Sequence, residues 1–121
     1  MKFYKCDKCG NVLFSMNEKC DGLTCCGKDM KELIPRGIDG ALEKHVPVVF
    51  EEEGVVTVKV GEVEHPMTEE HYIEFIVVET NRSIYMKKLQ PGDKPQASFI
   101  LNDEDVVSTV AYCNLHGLWN S

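Results

Sequence analysis

The chain sorts its metal-binding side chains by position. Every cysteine but Cys113 falls within residues 6–26, and all four histidines (His45, His65, His71, His116) lie from residue 45 onward. Such segregation implies two separate sites on two structural units. The boundary is expected in Ile34-Pro35-Arg36-Gly37-Ile38-Asp39-Gly40, where a proline and two glycines punctuate the chain. A length of 121 residues leaves room for one domain of ordinary size, residues 37–121, and a small appendage, residues 1–36, that needs a staple.

The second unit reads as short strands. Val56, Val58 and Val60 alternate with Thr57 and Lys59, giving one buried and one wet face. The stretch His71–Glu79 is expected to put Ile73, Phe75 and Val77 on the face of His71, and Ser83–Leu89, Gln96–Leu101 and Val106–Cys113 complete the series. Turn signals separate them at Glu53-Gly54, Thr80-Asn81, Pro91-Gly92-Asp93 and Asn102-Asp103. The pattern predicts an all-β fold, an antiparallel sandwich or barrel, with helical character confined to a turn near Gly40–Lys44.

Composition narrows the function. No apolar run approaches membrane-spanning length, and Lys2, Lys5, Asp7 and Lys8 interrupt the first ten residues where a signal peptide would be apolar, so a cytosolic protein is expected. Thiols there stay reduced, which favours metal binding over disulfides. A formal charge of −7 argues against a nucleic-acid surface, which needs clustered Lys and Arg. The acidic runs Glu51-Glu52-Glu53 and Asp103-Glu104-Asp105 read as solvated loops.

Cys6-Asp7-Lys8-Cys9-Gly10 has the spacing of a metal knuckle, the glycine permitting a tight turn toward the ion. Cys25 and Cys26 supply a second pair, although adjacent side chains tend to point apart, and joint binding should strain a tetrahedron. Four thiolates select zinc or iron, and the bound ion would supply much of the folding energy of so small a unit. A zinc-stapled mini-domain fits this spacing as well as an iron site does. Cys20 is read as a spare thiol, because Cys25 and Cys26 already complete a set of four.

In the second unit, His65 precedes Pro66, whose fixed φ rigidifies a loop; Cys113 and His116 bracket a short turn that lets both converge on one ion. Four imidazoles with one thiolate are too rich in nitrogen for an ordinary structural zinc site. They suit a redox-active first-row metal with one position open to a small molecule. Divalent iron held by four neutral imidazoles and a thiolate keeps one net positive charge. On an acidic protein, whose other charges are screened beyond about 8 Å, that makes a local target for a small anion, with Lys44 nearby.

The motifs Tyr4-Lys5-Cys6 to Gly10, Cys25-Cys26-Gly27, Asp39-Gly40-Ala41-Leu42-Glu43-Lys44-His45-Val46-Pro47, Val60-Gly61 with His65-Pro66-Met67, His71, and Cys113-Asn114-Leu115-His116-Gly117-Leu118-Trp119 resemble the superoxide reductases in their two-iron form, the desulfoferrodoxins. The resemblance runs nearly end to end, with Cys20 an addition to the pattern. It implies a desulforedoxin-like N-terminal unit with iron on Cys6, Cys9, Cys25 and Cys26. It implies an immunoglobulin-like β-sandwich carrying a second, square-pyramidal iron. His45, His65, His71 and His116 would lie in its plane, His116 through its other ring nitrogen, with Cys113 axial. The reaction implied is one-electron reduction of superoxide to hydrogen peroxide without dioxygen. Lys44 would attract the anion and orient water, and Glu43 would take the sixth position on ferric iron. A homodimer and a rubredoxin donor are also implied.

Two other classes compete. A cysteine closely followed by a histidine at the end of a β-sandwich is a blue-copper arrangement, but Leu118 and Trp119 stand where an axial methionine is needed, and four histidines are too many. A structural module with two zinc sites would fold, remain colourless and ignore superoxide.

Overall fold

The computed structural model describes residues 1–37 and 44–121. Residues 38–43, which include Glu43 and most of the turn expected near Gly40–Lys44, lie outside the described residues. Contacts divide the chain into Met1–Ile34 and Pro35–Ser121. All regular structure among the described residues is β, and every strand pairing is antiparallel.

The first unit is a sheet of β1 (Lys2–Lys5), β2 (Val12–Ser15) and β5 (Lys31–Leu33), with β1 in the middle, beside a hairpin of β3 (Thr24–Cys25) and β4 (Lys28–Asp29). One buried cluster holds Tyr4, Cys6 and Met30, with Leu23 and Cys25 packed on it, and Phe3 is buried besides. So small an apolar core leaves a folding deficit that a bound ion can offset.

The second unit is a sandwich of three strands against four, the number expected of an immunoglobulin-like fold. One sheet runs β10 (Gln96–Ile100), β7 (Val55–Val60), β6 (Pro47–Glu52); the other runs β12 (Gly117–Asn120), β11 (Val106–Cys113), β8 (Ile73–Thr80), β9 (Ile84–Lys88). The alternation in β7 holds: Val56, Val58 and Val60 are buried and meet Ala97, Ile76, Val78 and Ala111 between the sheets. The turn joining β6 to β7 has Glu53 at φ 50° and Gly54 at φ 78°, the left-handed pair a two-residue hairpin requires.

Several expectations are corrected. His71 does not open a strand, because β8 starts at Ile73. The face assignment of Ile73, Phe75 and Val77 also fails. The β8–β11 register pairs Tyr112 with Phe75 but Cys113 with Ile73, and this one-residue irregularity reverses the alternation, so Ile73 joins Ile76 and Val78 in the core. The acidic runs differ too. Glu51 and Glu52 end β6 rather than forming a loop. Glu104 is tied rather than solvated, accepting hydrogen bonds from the Thr80, Ser83 and Tyr85 hydroxyls and so pinning the β8–β9 turn to the segment before β11.

Candidate metal centres

The first donor cluster is Cys6, Cys9, Cys25 and Cys26, whose sulfurs all lie within 4.8 Å of one another. The Cys6 knuckle closes as expected, with the Gly10 N–H donating to the Cys6 carbonyl at 2.9 Å and the Cys9 N–H directed at the Cys6 sulfur at 3.5 Å. The expected strain at the adjacent pair is relieved by the backbone. Cys26 adopts φ 53° and Gly27 φ 75° in the two-residue turn between β3 and β4, and the left-handed cysteine brings its sulfur to 3.9 Å from that of Cys25. Cys9 and Cys25 stand 3.7 Å apart. Four sulfurs at about 2.3 Å from one ion at tetrahedral corners are about 3.8 Å from each other, so the spacing fits. Proton affinities fit as well: the Cys9 N–H bond draws Cys6 down to about 7, while sharing with the Cys6 sulfur, then Cys9, pushes Cys25 up to about 12. Deprotonating the set places like charges within 4.8 Å of one another, a repulsion that a cation among them would relieve. Cys20 lies apart from the set, its thiol turned to the Gly22 carbonyl at 3.3 Å.

The second cluster draws on both sheets and their loops. His45 precedes β6, His65 and His71 lie in the β7–β8 connection, Cys113 ends β11, and His116 occupies the turn into β12. Donor atoms of His45, His65, His71 and Cys113 lie within 4.8 Å of one another, and the Nδ1 of His116 completes the group, 3.0 Å from His45 Nε2 and 3.8 Å from the Cys113 sulfur. The four rings form a square. Consecutive centres are 4.8 Å (His45–His65), 4.7 Å (His65–His71), 4.9 Å (His71–His116) and 4.8 Å (His116–His45) apart, with neighbouring planes 65–84° apart.

This square has the dimensions of a common ion. Two nitrogens at right angles, each about 2.1 Å from a metal, are about 3.0 Å apart, which is the His45–His116 separation. The diagonal between the centres of His45 and His71 is 6.3 Å. Half of that, about 3.2 Å, matches a metal–nitrogen bond plus the distance from ring nitrogen to ring centre. The most direct sign is that His65 Nε2 and His71 Nε2 are buried with no hydrogen-bond partner. Orphaned buried nitrogens are costly unless something fills the space between them. The donor set is therefore that of a mononuclear site with imidazole nitrogens and one thiolate.

The chain also prepares the protonation state. The His65 Nδ1–H donates to the Pro66 carbonyl at 2.7 Å, which leaves the lone pair on Nε2. Burial pushes His65 down to about 4. Burial, then the charges of His116, His45 and Lys44, lowers His71 too, so Lys44 is electrostatically within reach of the cluster. Both are neutral at physiological pH, the form a metal needs. Burial raises the Cys113 thiol against the backbone N–H groups of His116 and Leu115, which favour its thiolate.

Residues without an expected role build the frame. Arg36 lies 4.2 Å over the Trp119 ring, Trp119 stacks on His45 at 4.6 Å and 17°, and the same guanidinium donates to the His116 carbonyl. Arg36 thereby braces two rings of the square at once. Nothing in the spacing signals this, because the contacts join residues far apart in the chain.

Two donor clusters on β units, one all sulfur and one of four imidazoles with a thiolate, define a non-haem metalloprotein with two mononuclear sites. Comparison with known proteins agrees. Residues 38–121 match the Desulfoferrodoxin family. The desulfoferrodoxin homolog of Archaeoglobus fulgidus is 47% identical over 121 residues, covering 100% of this chain and 96% of that protein. The superoxide reductase of Pyrococcus horikoshii is 34% identical over 110 residues, covering 76% of this chain and 95% of the relative. The crystal structure of the superoxide reductase from Treponema pallidum superposes with a TM-score of 0.88 at 31% identity, over 99% of this chain and 96% of that one. The chain belongs to the desulfoferrodoxin family. Its two clusters fit two iron sites, one of four cysteines and one of four histidines and a cysteine. No helix among the described residues is long and apolar enough to cross a membrane.

Proposed function

We propose that the chain is a superoxide reductase: superoxide takes one electron and two protons and leaves as hydrogen peroxide, with no dioxygen formed. The convergence of two orphaned histidine nitrogens with His45, His116 and Cys113 carries this reading. Iron bound by His45, His65, His71, His116 and Cys113 would supply the electron. The chain's own residues do the rest. Neutral imidazoles leave the centre with net positive charge, which favours capture of a small anion. Lys44, whose charge is felt at His71, adds to that attraction and holds a water that can pass a proton to the reduced anion. Glu43 would offer a carboxylate as a further, exchangeable ligand to that iron. The Cys113 thiolate, steadied by the Leu115 and His116 N–H groups, donates charge that favours product release.

The unit Met1–Ile34 is an accessory iron domain and Pro35–Ser121 the reductase domain, a boundary two residues before the expected one. A rubredoxin-like protein supplies electrons, the enzyme works as a homodimer, and its compartment is the cytoplasm. The names and similarity of the relatives support the superoxide reductase activity. The test is anaerobic: iron-loaded, reduced protein is mixed with pulse-generated superoxide, and peroxide and dioxygen are both measured. Peroxide without dioxygen is expected. Dioxygen evolved alongside peroxide would mean dismutation, and no absorbance change with superoxide would mean a structural metal site.

A further inference from the structure

We propose that Asn114 is the positioning residue that sets His71 against Cys113 and His116, an inference that rests on the metal centre proposed above. Asn114 lies between two donors in the chain, yet its own carboxamide is turned to the backbone on either side of a third. Its Oδ1 accepts the Tyr72 N–H at 3.0 Å, and its Nδ2 donates to the Glu70 carbonyl at 3.0 Å. Its main-chain N–H donates to the Tyr72 carbonyl at 3.2 Å. The residues immediately before and after His71 are thus held by one side chain from the β11–β12 turn.

The position explains the residue type. The β8–β11 ladder ends with Cys113 opposite Ile73, and the irregularity just before it shifts the register. Asn114 stands where the next pair would form, and its carboxamide, a peptide group in miniature, continues the pairing past the end of β8. At neutral pH a side chain this short offers one acceptor and one donor from the same plane only as a carboxamide. A carboxylate in its place would keep a partner for the Tyr72 N–H but set a lone pair against the Glu70 carbonyl. Thr68 secures His71 itself: its hydroxyl accepts the His71 N–H at 3.1 Å and donates to the His71 carbonyl at 3.2 Å. Thr68 shapes the loop locally, whereas Asn114 ties that loop to the strand end bearing Cys113. Without the tie, the orphaned Nε2 of His71 loses its fixed distance from the other donors.

The test uses metal-free full-length protein titrated with Co²⁺ against a competing chelator, the all-cysteine site serving as reference in the same chain. Asn114→Ala should weaken cobalt binding at the histidine–cysteine site by about 10- to 100-fold and shift its absorption bands, while the reference site is unchanged. Asn114→Asp should fall between Asn114→Ala and wild type. Equal affinity and an identical spectrum in Asn114→Ala would overturn the inference, as would equal weakening of both sites, which marks a general loss of fold. Should Asn114→Ala fail to fold, Asn114→Asp decides by the same criteria. Failure of the wild-type protein to bind cobalt at the histidine–cysteine site sinks the underlying metal-centre reading instead.

Discussion

Gly61→Ala is a sharp test of how the sandwich presents His45 and Lys44. Gly61 follows β7 at φ 86°, and its N–H donates to the Val46 carbonyl at 3.1 Å, which draws the His45 segment against the end of the strand. A Cβ there would stand 2.4 Å from the Lys44 carbonyl oxygen and 2.4 Å from that of Val63. Ordinary contact begins near 3.4 Å, so backbone on one side or the other must retreat by about 1 Å. Both neighbours are main chain, so no side chain can swing aside. The left-handed backbone alone costs an alanine about 1–2 kcal/mol, and relieving the overlap adds about 1–3 kcal/mol. A displacement of about 1 Å at a reacting group can also lower a rate about 100-fold. Gly92 is the control: its φ is 91°, but nothing lies within 4 Å of a Cβ there. Chemical denaturation with metal content, followed by superoxide kinetics on whatever iron is retained, gives the answer. Gly61→Ala should be destabilised well beyond Gly92→Ala and lose metal or rate; equal effects of the two would refute the close-approach reasoning.

Acidification should destabilise metal-free protein in a defined window. His65, ordinarily near 6.5, is pushed by burial to about 4 when folded, so the unfolded chain binds the extra proton between those values. Stability is therefore full above about pH 6.5 and declines as pH falls toward about 4, with His71 acting in the same direction; a melting temperature that stays flat across this range would contradict it. Cys9→Ser removes a sulfur 3.7 Å from Cys25 and should halve the iron content while superoxide reduction with an artificial donor persists. Cys20→Ser should keep both metals, and iron analysis showing a loss would reassign that thiol. Lys44→Ala should slow superoxide capture about tenfold and flatten its ionic-strength dependence, an unchanged rate removing Lys44 from the mechanism.

Much of the site is legible in the residue types and their spacing. Donor chemistry is a property of residue type, and Cys6, Cys9, Cys25, Cys26, Cys113 and the four histidines stand out by identity and spacing. The strands of the sandwich were legible where one face is wet, as in β7. They are ambiguous in β8, where both faces carry apolar residues and one irregularity reverses the alternation. The apparent difficulty at Cys25-Cys26 vanished for a local reason, a left-handed cysteine in a tight turn, which spacing does not reveal. Glu104 read as a solvated acid because its three hydroxyl partners come from a distant hairpin.

By itself, the sequence determined which atoms can bind metal, that they divide into a sulfur set and a nitrogen-rich set, and that the larger unit is built from strands. Those follow from side-chain chemistry and from periodicity along the chain. The planar set of four rings and the other ring nitrogen of His116 were implied by resemblance alone; the tertiary structure gives them distances and angles, and it alone decided that Asn114, Arg36 and Trp119 hold them there. These depend on contacts between residues tens of positions apart, which exist only once the two sheets have packed and brought their loops to one end.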